Sequence, residues 1–211
     1  LSKPENYRPI SLLCSLSKII ERVILNRINA HIELEKIIPD EQHGFRQKFS
    51  TTRQLAKLIN ITKESLNSKN STGLVMMDVE KAFDRVWHDG LLHKMIATNF
   101  PPYLVCIVRN FLNARTFHVA VNSAKSHNFD IPYGVPQGAV LSPTLYNIFT
   151  HDVPKSANTN LALFADDTAF YSSSTKVSEI TKALQQHANS FANYMQKWKI
   201  SINNNKTQAI Y

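Results

Sequence analysis

Three aspartates stand where apolar chain gives them no obvious partner. The stretch LALFADDTAFYSS (161–173) carries Asp166 and Asp167 side by side, and LVMMDVEKAFD (74–84) closes a hydrophobic run on Asp78. A buried carboxylate without a proton, a cation or hydrogen bonds costs several kcal/mol, so these acids need something to hold them. If the strand bearing Asp78 lies beside a hairpin bearing Asp166, carboxylates meet at one edge of a sheet and their repulsion must be offset. A divalent cation offsets it. Oxygen ligands in small number, with positions left for water and phosphate, suit Mg2+. Two such ions about 4 Å apart can activate an attacking hydroxyl and stabilise a leaving oxygen in an in-line displacement at phosphorus. Successive side chains of a strand point to opposite faces, so the adjacent acids are expected to differ, with Asp166 a direct ligand and Asp167 a supporting one. The same pair would also serve as a tight polar turn, a common use of Asp.

The surrounding chain has to position these groups, and its composition is that of a globular domain: 211 residues, 43% hydrophobic, no internal repeat or low-complexity tract. No run of about 18 apolar residues exists, the longest candidate being YLVCIV at 103–108, so a membrane span is not expected. The first residue is Leu, and the sequence reads as an internal fragment. Twenty-four Lys and Arg against sixteen Asp and Glu leave a net charge of +8. Such a balance favours a polyanionic partner through counterion release, although a merely soluble basic domain would carry it too. Cys14 and Cys106 stand far apart with no CxxC pair, which argues against zinc or a disulfide framework and for two small core residues.

Hydrophobic spacing supplies the elements. Ile20, Ile24, Ile28 and Ile32 recur at i, i+4 through residues 15–34, with Ile19 and Val23 beside them, and predict an amphipathic helix. A second helix is expected from a cap at Thr51 or Thr52 to about Asn67, with Leu55, Leu58, Ile59 and Thr62 on one side. The run from Gly73 reads as a buried strand. Helical patterns follow at 88–98 and 102–113, interrupted at Pro101-Pro102. Residues 114–121 and 126–134 alternate as two paired strands joined around Asn122–Lys125, and 139–153 reads as a helix with Pro143 in its first turns. A hairpin turning at the two aspartates, a long helix over 177–198 and a short strand around 208–211 complete the series. Strands and helices mix without regular βαβ alternation, so the expected class is α+β with an antiparallel sheet. No linker divides the chain into independent domains.

Several ordered blocks carry a resemblance: NYRPISLL (6–13), HGFRQKFSTT (43–52), LVMMDVEKAFDRVWHDGLL (74–92), GVPQGAVLSPTLYNIF (134–149), LFADDTAFY (163–171) and NNNKTQAIY (203–211). In order and spacing these resemble the reverse transcriptase domain of non-LTR retrotransposons, the LINE group, and most closely the jockey-like elements. The resemblance implies the fingers and palm of a right-hand polymerase, roughly fingers over 1–72 and mainly palm over 73–211 with a returning fingers segment, the thumb being absent. It implies RNA-directed DNA synthesis from a primer 3′-hydroxyl, with an RNA template, a DNA primer and dNTPs as partners. Two Mg2+ ions are implied, with Mn2+ as a substitute. The implied places of action are the nucleus and a cytoplasmic ribonucleoprotein.

Residue by residue, the resemblance makes Asp78 a catalytic metal ligand, assisted by the main-chain carbonyl of Val79, with Asp166 and Asp167 completing the metal set. Phe83 stands where the family places an aromatic wall against the nucleotide 2′-hydroxyl; core packing is the competing use of such a ring. Gln137 and Gly138, in the PQG segment, would contact the nucleotide and template. Lys3 and Arg8 correspond to residues that hold the triphosphate, a task for which a point charge and a bidentate fork are suited. Arg46 matches a position near the template, with Lys48 and Arg53 as basic neighbours. Lys206 matches a lysine that protonates the pyrophosphate leaving group. Phe164 and Ala165 precede the acids where many relatives have Tyr, and the Phe164 ring is expected beside primer or nucleotide. Two other readings share some features: a silent nucleic-acid-binding remnant, against which the intact acids weigh, and a viral RNA polymerase, which would want a smaller or polar group in place of Phe83.

Overall fold

The computed structural model describes residues 9–211, so Lys3 and Arg8 lie outside the described residues. In chain order the helices are α1 (Ser15–Glu35), α2 (Thr51–Asn67), α3 (His88–Ala97), α4 (Pro102–Leu112), α5 (Ser142–Phe149) and α6 (Val177–Lys197). The strands are β1 (Ser71–Val79), β2 (Thr116–Phe117), β3 (Ala120–Val121), β4 (Ala124–Lys125), β5 (Phe129–Asp130), β6 (Asn160–Phe164), β7 (Asp167–Ser174) and β8 (Ile202–Ile210), and a short 3-10 helix spans Ala82–Arg85. These elements sort into two compact units that exchange the chain: the described residues up to Ile37 with Phe83–Phe149, and Ile38–Ala82 with Thr150–Tyr211.

The second unit is built on a four-stranded antiparallel sheet ordered β6-β7-β1-β8. Strands β1 and β6 are apolar runs bounded by polar turns, while β8, at the sheet's edge, is mostly polar and exposed. One face is covered by α6, whose Ile180, Ala183, Leu184, His187, Phe191 and Met195 are buried at helical spacing. Leu161, Leu163 and Phe170 supply the sheet's side of this core, and the Phe170 ring stands 6.0 Å from that of Phe191. The mixture of helices with antiparallel sheet agrees with the class expected from the sequence.

The first unit is mainly helical. The short helix α5 is its most enclosed element, with Leu145, Ile148 and Phe149 showing no exposure and Tyr146 only 2%. Helix α3 packs on both α4 and α5, and its Leu91 and Met95 show no exposure. Pro102 opens α4 at its first position, where a missing N–H is harmless, so Pro101-Pro102 separates the two helices as expected.

Some expectations change. The stripe on α1 is buried only toward its end, at Ile28 and Ile32, while Ile19, Ile20 and Val23 are exposed. Helix α2 is capped by Ser50, whose hydroxyl accepts from the Arg53 amide at 3.2 Å, one residue before the expected pair. Its Leu55 and Ile59 are exposed. The expected long ribbon over 114–134 breaks into two short ladders, β2 with β5 and β3 with β4, and turns at 122–123 with Asn122 left-handed. Helix α5 is shorter than 139–153, and β8 is longer than 208–211. Neither cysteine is in the core: Cys14 and Cys106 are both exposed, and the Cys14 sulfur caps α1 by accepting from the Ser17 amide at 3.4 Å.

His187, 1% exposed, shows how the polar interior is satisfied. Its Nε2 donates to the Pro154 carbonyl at 2.9 Å, which leaves Nδ1 to accept from the Thr159 hydroxyl, and the ring stacks on Phe170. Burial holds it below its ordinary value of 6.5, against the pull of the Pro154 carbonyl. The unfolded chain therefore takes up a proton that the folded protein refuses. Stability should be full above pH 6.5 and fall as the pH drops through the depressed value. Urea midpoints between pH 7.5 and 5 should show this slope, and it should flatten in His187→Gln.

Candidate active site

The acids come together through strand register. Strands β1 and β7 are antiparallel with Met77 opposite Thr168, and one further step along both places Asp78 across from Asp167. Phe164 pairs with Asp167, so Ala165 and Asp166 form the two-residue turn of the β6–β7 hairpin. The turn expected at the aspartates is there, shifted so that Asp167 already belongs to a strand. Asp78 and Asp166 are half-buried and Asp167 is exposed.

Their charges are felt. Partial withdrawal from water, and after it the charges of Asp166 and Asp78, hold the Asp167 carboxyl above its ordinary value of 3.8. On the other side of β1 the register with β8 slips: Met76 pairs with Gln208 but Asp78 with Asn203, so residues 204–207 bulge opposite Met77. The Thr207 hydroxyl closes this bulge on the Asn203 carbonyl at 3.1 Å. Lys206 rides on it, and its Nζ stands 3.7 Å from Asp78 Oδ2. Lys206 and Asp78, placed far apart by the sequence, are thus an ion pair.

Carboxylates in small number with a shared negative field are the donor type that Mg2+ takes. Among the described residues no three His, Cys, Asp or Glu side chains close around one point that could hold a metal. The observed set is a charge cluster whose Asp78 is engaged by a lysine.

The remaining predicted residues divide between the units. In the sheet unit, Val79 is buried at the end of β1 and Phe164 is half-buried at the end of β6. Arg46 turns inward on its own loop: Nη1 donates to the Pro39 carbonyl at 3.0 Å and the Gln42 carbonyl at 3.3 Å, and the guanidinium lies over the Phe49 ring. Arg53 packs over the same ring and Lys48 is exposed. In the helical unit, Phe83 is half-buried and stacks on Tyr146, ring centroids 5.1 Å apart. Gln137 donates from Nε2 to Asp84 Oδ1 at 2.8 Å, and its carbonyl accepts from the Ser11 amide at 3.0 Å. Gly138 is exposed with φ +100, a conformation that side chains disfavour.

Two supporting residues escaped the sequence reading. Glu21 on α1 is 3% exposed, and its Oε2 accepts from the amides of Val140 at 2.7 Å and Leu141 at 3.1 Å, fixing the backbone just after Gly138. Gln42 is 2% exposed and bonds to Ala165. The only sequence signal for Glu21 is a polar residue beside an apolar stripe, and Gln42, in a polar segment, carries none.

Known structures share this fold. A telomerase from Candida tropicalis in complex with a TWJ fragment of telomeric RNA superposes with a TM-score of 0.65 at 16% identity, covering 93% of this chain and 33% of that one. The apo telomerase of the same organism truncated from the C-terminal domain gives 0.61 at 15% identity, over 91% of this chain and 40% of that one. At sequence level the family model described as reverse transcriptase (RNA-dependent DNA polymerase) matches residues 1–211, and the chain belongs to that family. The RNA-directed DNA polymerase from mobile element jockey of Drosophila melanogaster is 41% identical over 210 residues, 96% of this chain and 23% of the relative. The probable RNA-directed DNA polymerase from transposon BS of the same organism is 39% identical over 97% of this chain and 23% of its own length. The chain thus spans about a quarter of the curated relatives that it matches.

The charge cluster has a measurable signature. Because the folded state binds the Asp167 proton more tightly than the unfolded chain, ionising that carboxyl destabilises the fold as pH rises from 3.8 through the raised value. In EDTA, Asp167→Asn should be more stable than wild type at neutral pH, by a modest margin given the group's contact with water. The difference should shrink in acid. Urea midpoints at pH 7 and pH 3.5 measure both.

Proposed function

We propose that this chain is the fingers and palm of an RNA-directed DNA polymerase of a non-LTR retrotransposon, adding dNTPs to a DNA primer 3′-hydroxyl on an RNA template. The observation that carries the reading is the β1–β7 register, which sets Asp78 beside the Asp166–Asp167 hairpin. Membership of the family and relatives named RNA-directed DNA polymerases support it. In this reading the sheet unit supplies the palm, and the nucleus and a cytoplasmic ribonucleoprotein are the places of action. No described helix is long and apolar enough to cross a membrane.

Asp78 and Asp166 would hold two Mg2+ ions, with Asp167 in support and the Val79 carbonyl assisting. Bound divalent cations would activate the primer hydroxyl and stabilise the pyrophosphate oxygen as it leaves. Lys206 would give the proton that pyrophosphate needs, and its place beside Asp78 supports that task. Phe83 would exclude a ribose 2′-hydroxyl, its ring held by Tyr146. Gln137 and Gly138 would receive the nucleotide and template, and Phe164 would lie beside the primer. Lys3 and Arg8 would hold the triphosphate. The inward bonds of Arg46 favour a loop-fixing part for it over direct template contact, leaving exposed Lys48 and Arg53 to meet phosphates.

Primer extension by the full-length parent protein on an RNA template tests this. Asp78→Asn and Asp166→Asn should each lower DNA synthesis by about 10³-fold or more while RNA binding persists. Phe83→Ala should admit ribonucleotides. Absence of incorporation by the unaltered protein with Mg2+ would favour the silent remnant instead.

A further inference from the structure

We infer that Gln42 is a positioning residue, a side-chain clamp that holds the Ala165–Asp166 turn in the conformation that presents the acids. The inference rests on the polymerase reading only for its kinetic consequence. Ala165 has φ +57, the left-handed region, where an L-residue other than Gly, Asn or Asp costs about 1–2 kcal/mol. A two-residue hairpin turn at this point would ordinarily recruit glycine. Something outside the hairpin has to over-determine it.

Gln42 does so through both polar groups of Ala165. Its Oε1 accepts from the Ala165 amide at 3.0 Å and its Nε2 donates to the Ala165 carbonyl at 3.2 Å. The same Oε1 accepts from the Gly44 amide at 2.7 Å. Two N–H groups converging on one atom fix the amide's orientation, because neither can accept. The side chain thus pairs with Ala165 as a peptide unit pairs in a ladder. It extends a short parallel bridge whose backbone bonds run from His43 to the Leu163 carbonyl at 2.9 Å and from Leu163 to the Glu41 carbonyl at 3.1 Å.

The loop that carries Gln42 is fitted to this contact. A Cβ on Gly44 would stand 2.0 Å from the Ala165 nitrogen and 2.9 Å from the Phe164 carbonyl carbon, so only glycine lets the loop lie against the turn. Arg46 ties down the Gln42 carbonyl from the other side. Support therefore runs from Arg46 through Gln42 to Ala165, one residue before Asp166. All four belong to the sheet unit. The HGFR block acquires a purpose distinct from phosphate binding.

The test uses the full-length parent protein with Gln42→Met, which keeps length and loses every hydrogen bond, and Gly44→Ala, which pushes the turn away. In Gln42→Met the expected results are a fall in kcat of about 10²-fold with the dNTP KM nearly unchanged, and weaker Mn2+ binding by electron paramagnetic resonance. Amide exchange at Ala165 should quicken while the Leu163 and Thr168 amides keep their protection. Gly44→Ala should reproduce the pattern. Unaltered exchange at Ala165 together with unaltered Mn2+ affinity would overturn the inference. A uniform loss of protection across β6 and β7, with kcat per folded molecule preserved, would also overturn it and assign Gln42 to stability alone. Exchange and Mn2+ binding need no turnover, so an inactive wild type would defeat the polymerase reading and leave the clamp to be decided by these two measurements.

Discussion

Like charges have to be held close by something stiffer than a side chain, and here an antiparallel register does it. With Met77 opposite Thr168, the backbone hydrogen bonds of β1 and β7 leave Asp78 and Asp167 no means of separating except by rotating their side chains. The consequence appears in the Asp167 carboxyl, held above its usual value. The bulge of β8 brings a compensating ammonium to Asp78. Strain of this kind gathers at sites where function needs a charge arrangement that folding alone would avoid, and the surrounding packing carries it.

Both units meet a similar difficulty with a similar device. A loop must be held in one conformation although its own sequence does not compel it, and a buried polar side chain from a distant part of the chain supplies the missing hydrogen bonds. Gln42 does this for the aspartate turn, and Glu21 does it for the backbone after Gly138. Burying such groups is unfavourable unless each is fully matched, which makes a matched one specific for a single loop geometry. Lys94, 2% exposed with its Nζ on the Phe149 carbonyl at 2.6 Å, extends the pattern to the end of α5.

Legibility in the sequence followed the range of the interaction. Strand β1, the hairpin at the aspartates and helices α3, α4 and α6 were readable because local spacing and punctuation specify them. The pairing of Asp78 with the hairpin was readable as a chemical requirement, and the family blocks named the remaining candidates. What spacing could not show was side-chain destination. Arg46 resembles a phosphate ligand in a basic segment, yet it bonds to carbonyls four and seven residues away. Ile19, Ile20 and Val23 have the pattern of a buried stripe and lie exposed, since periodicity says which residues share a face and not what covers it. Gln42 gave no signal, its partner being 123 residues further on.

The exchange of chain between the two units governs how the protein is assembled. Strand β1 is complete at residue 79, but its neighbours β7 and β8 arrive only by residues 174 and 210. At a synthesis rate of about 5–20 residues per second, β1 waits for seconds with both edges unpaired, and the helical segment 83–149 emerges during that interval. An early, long-lived strand rich in Val and Met is a template for wrong partners. Nascent β1 is therefore a segment on which a chaperone would have a large influence over yield.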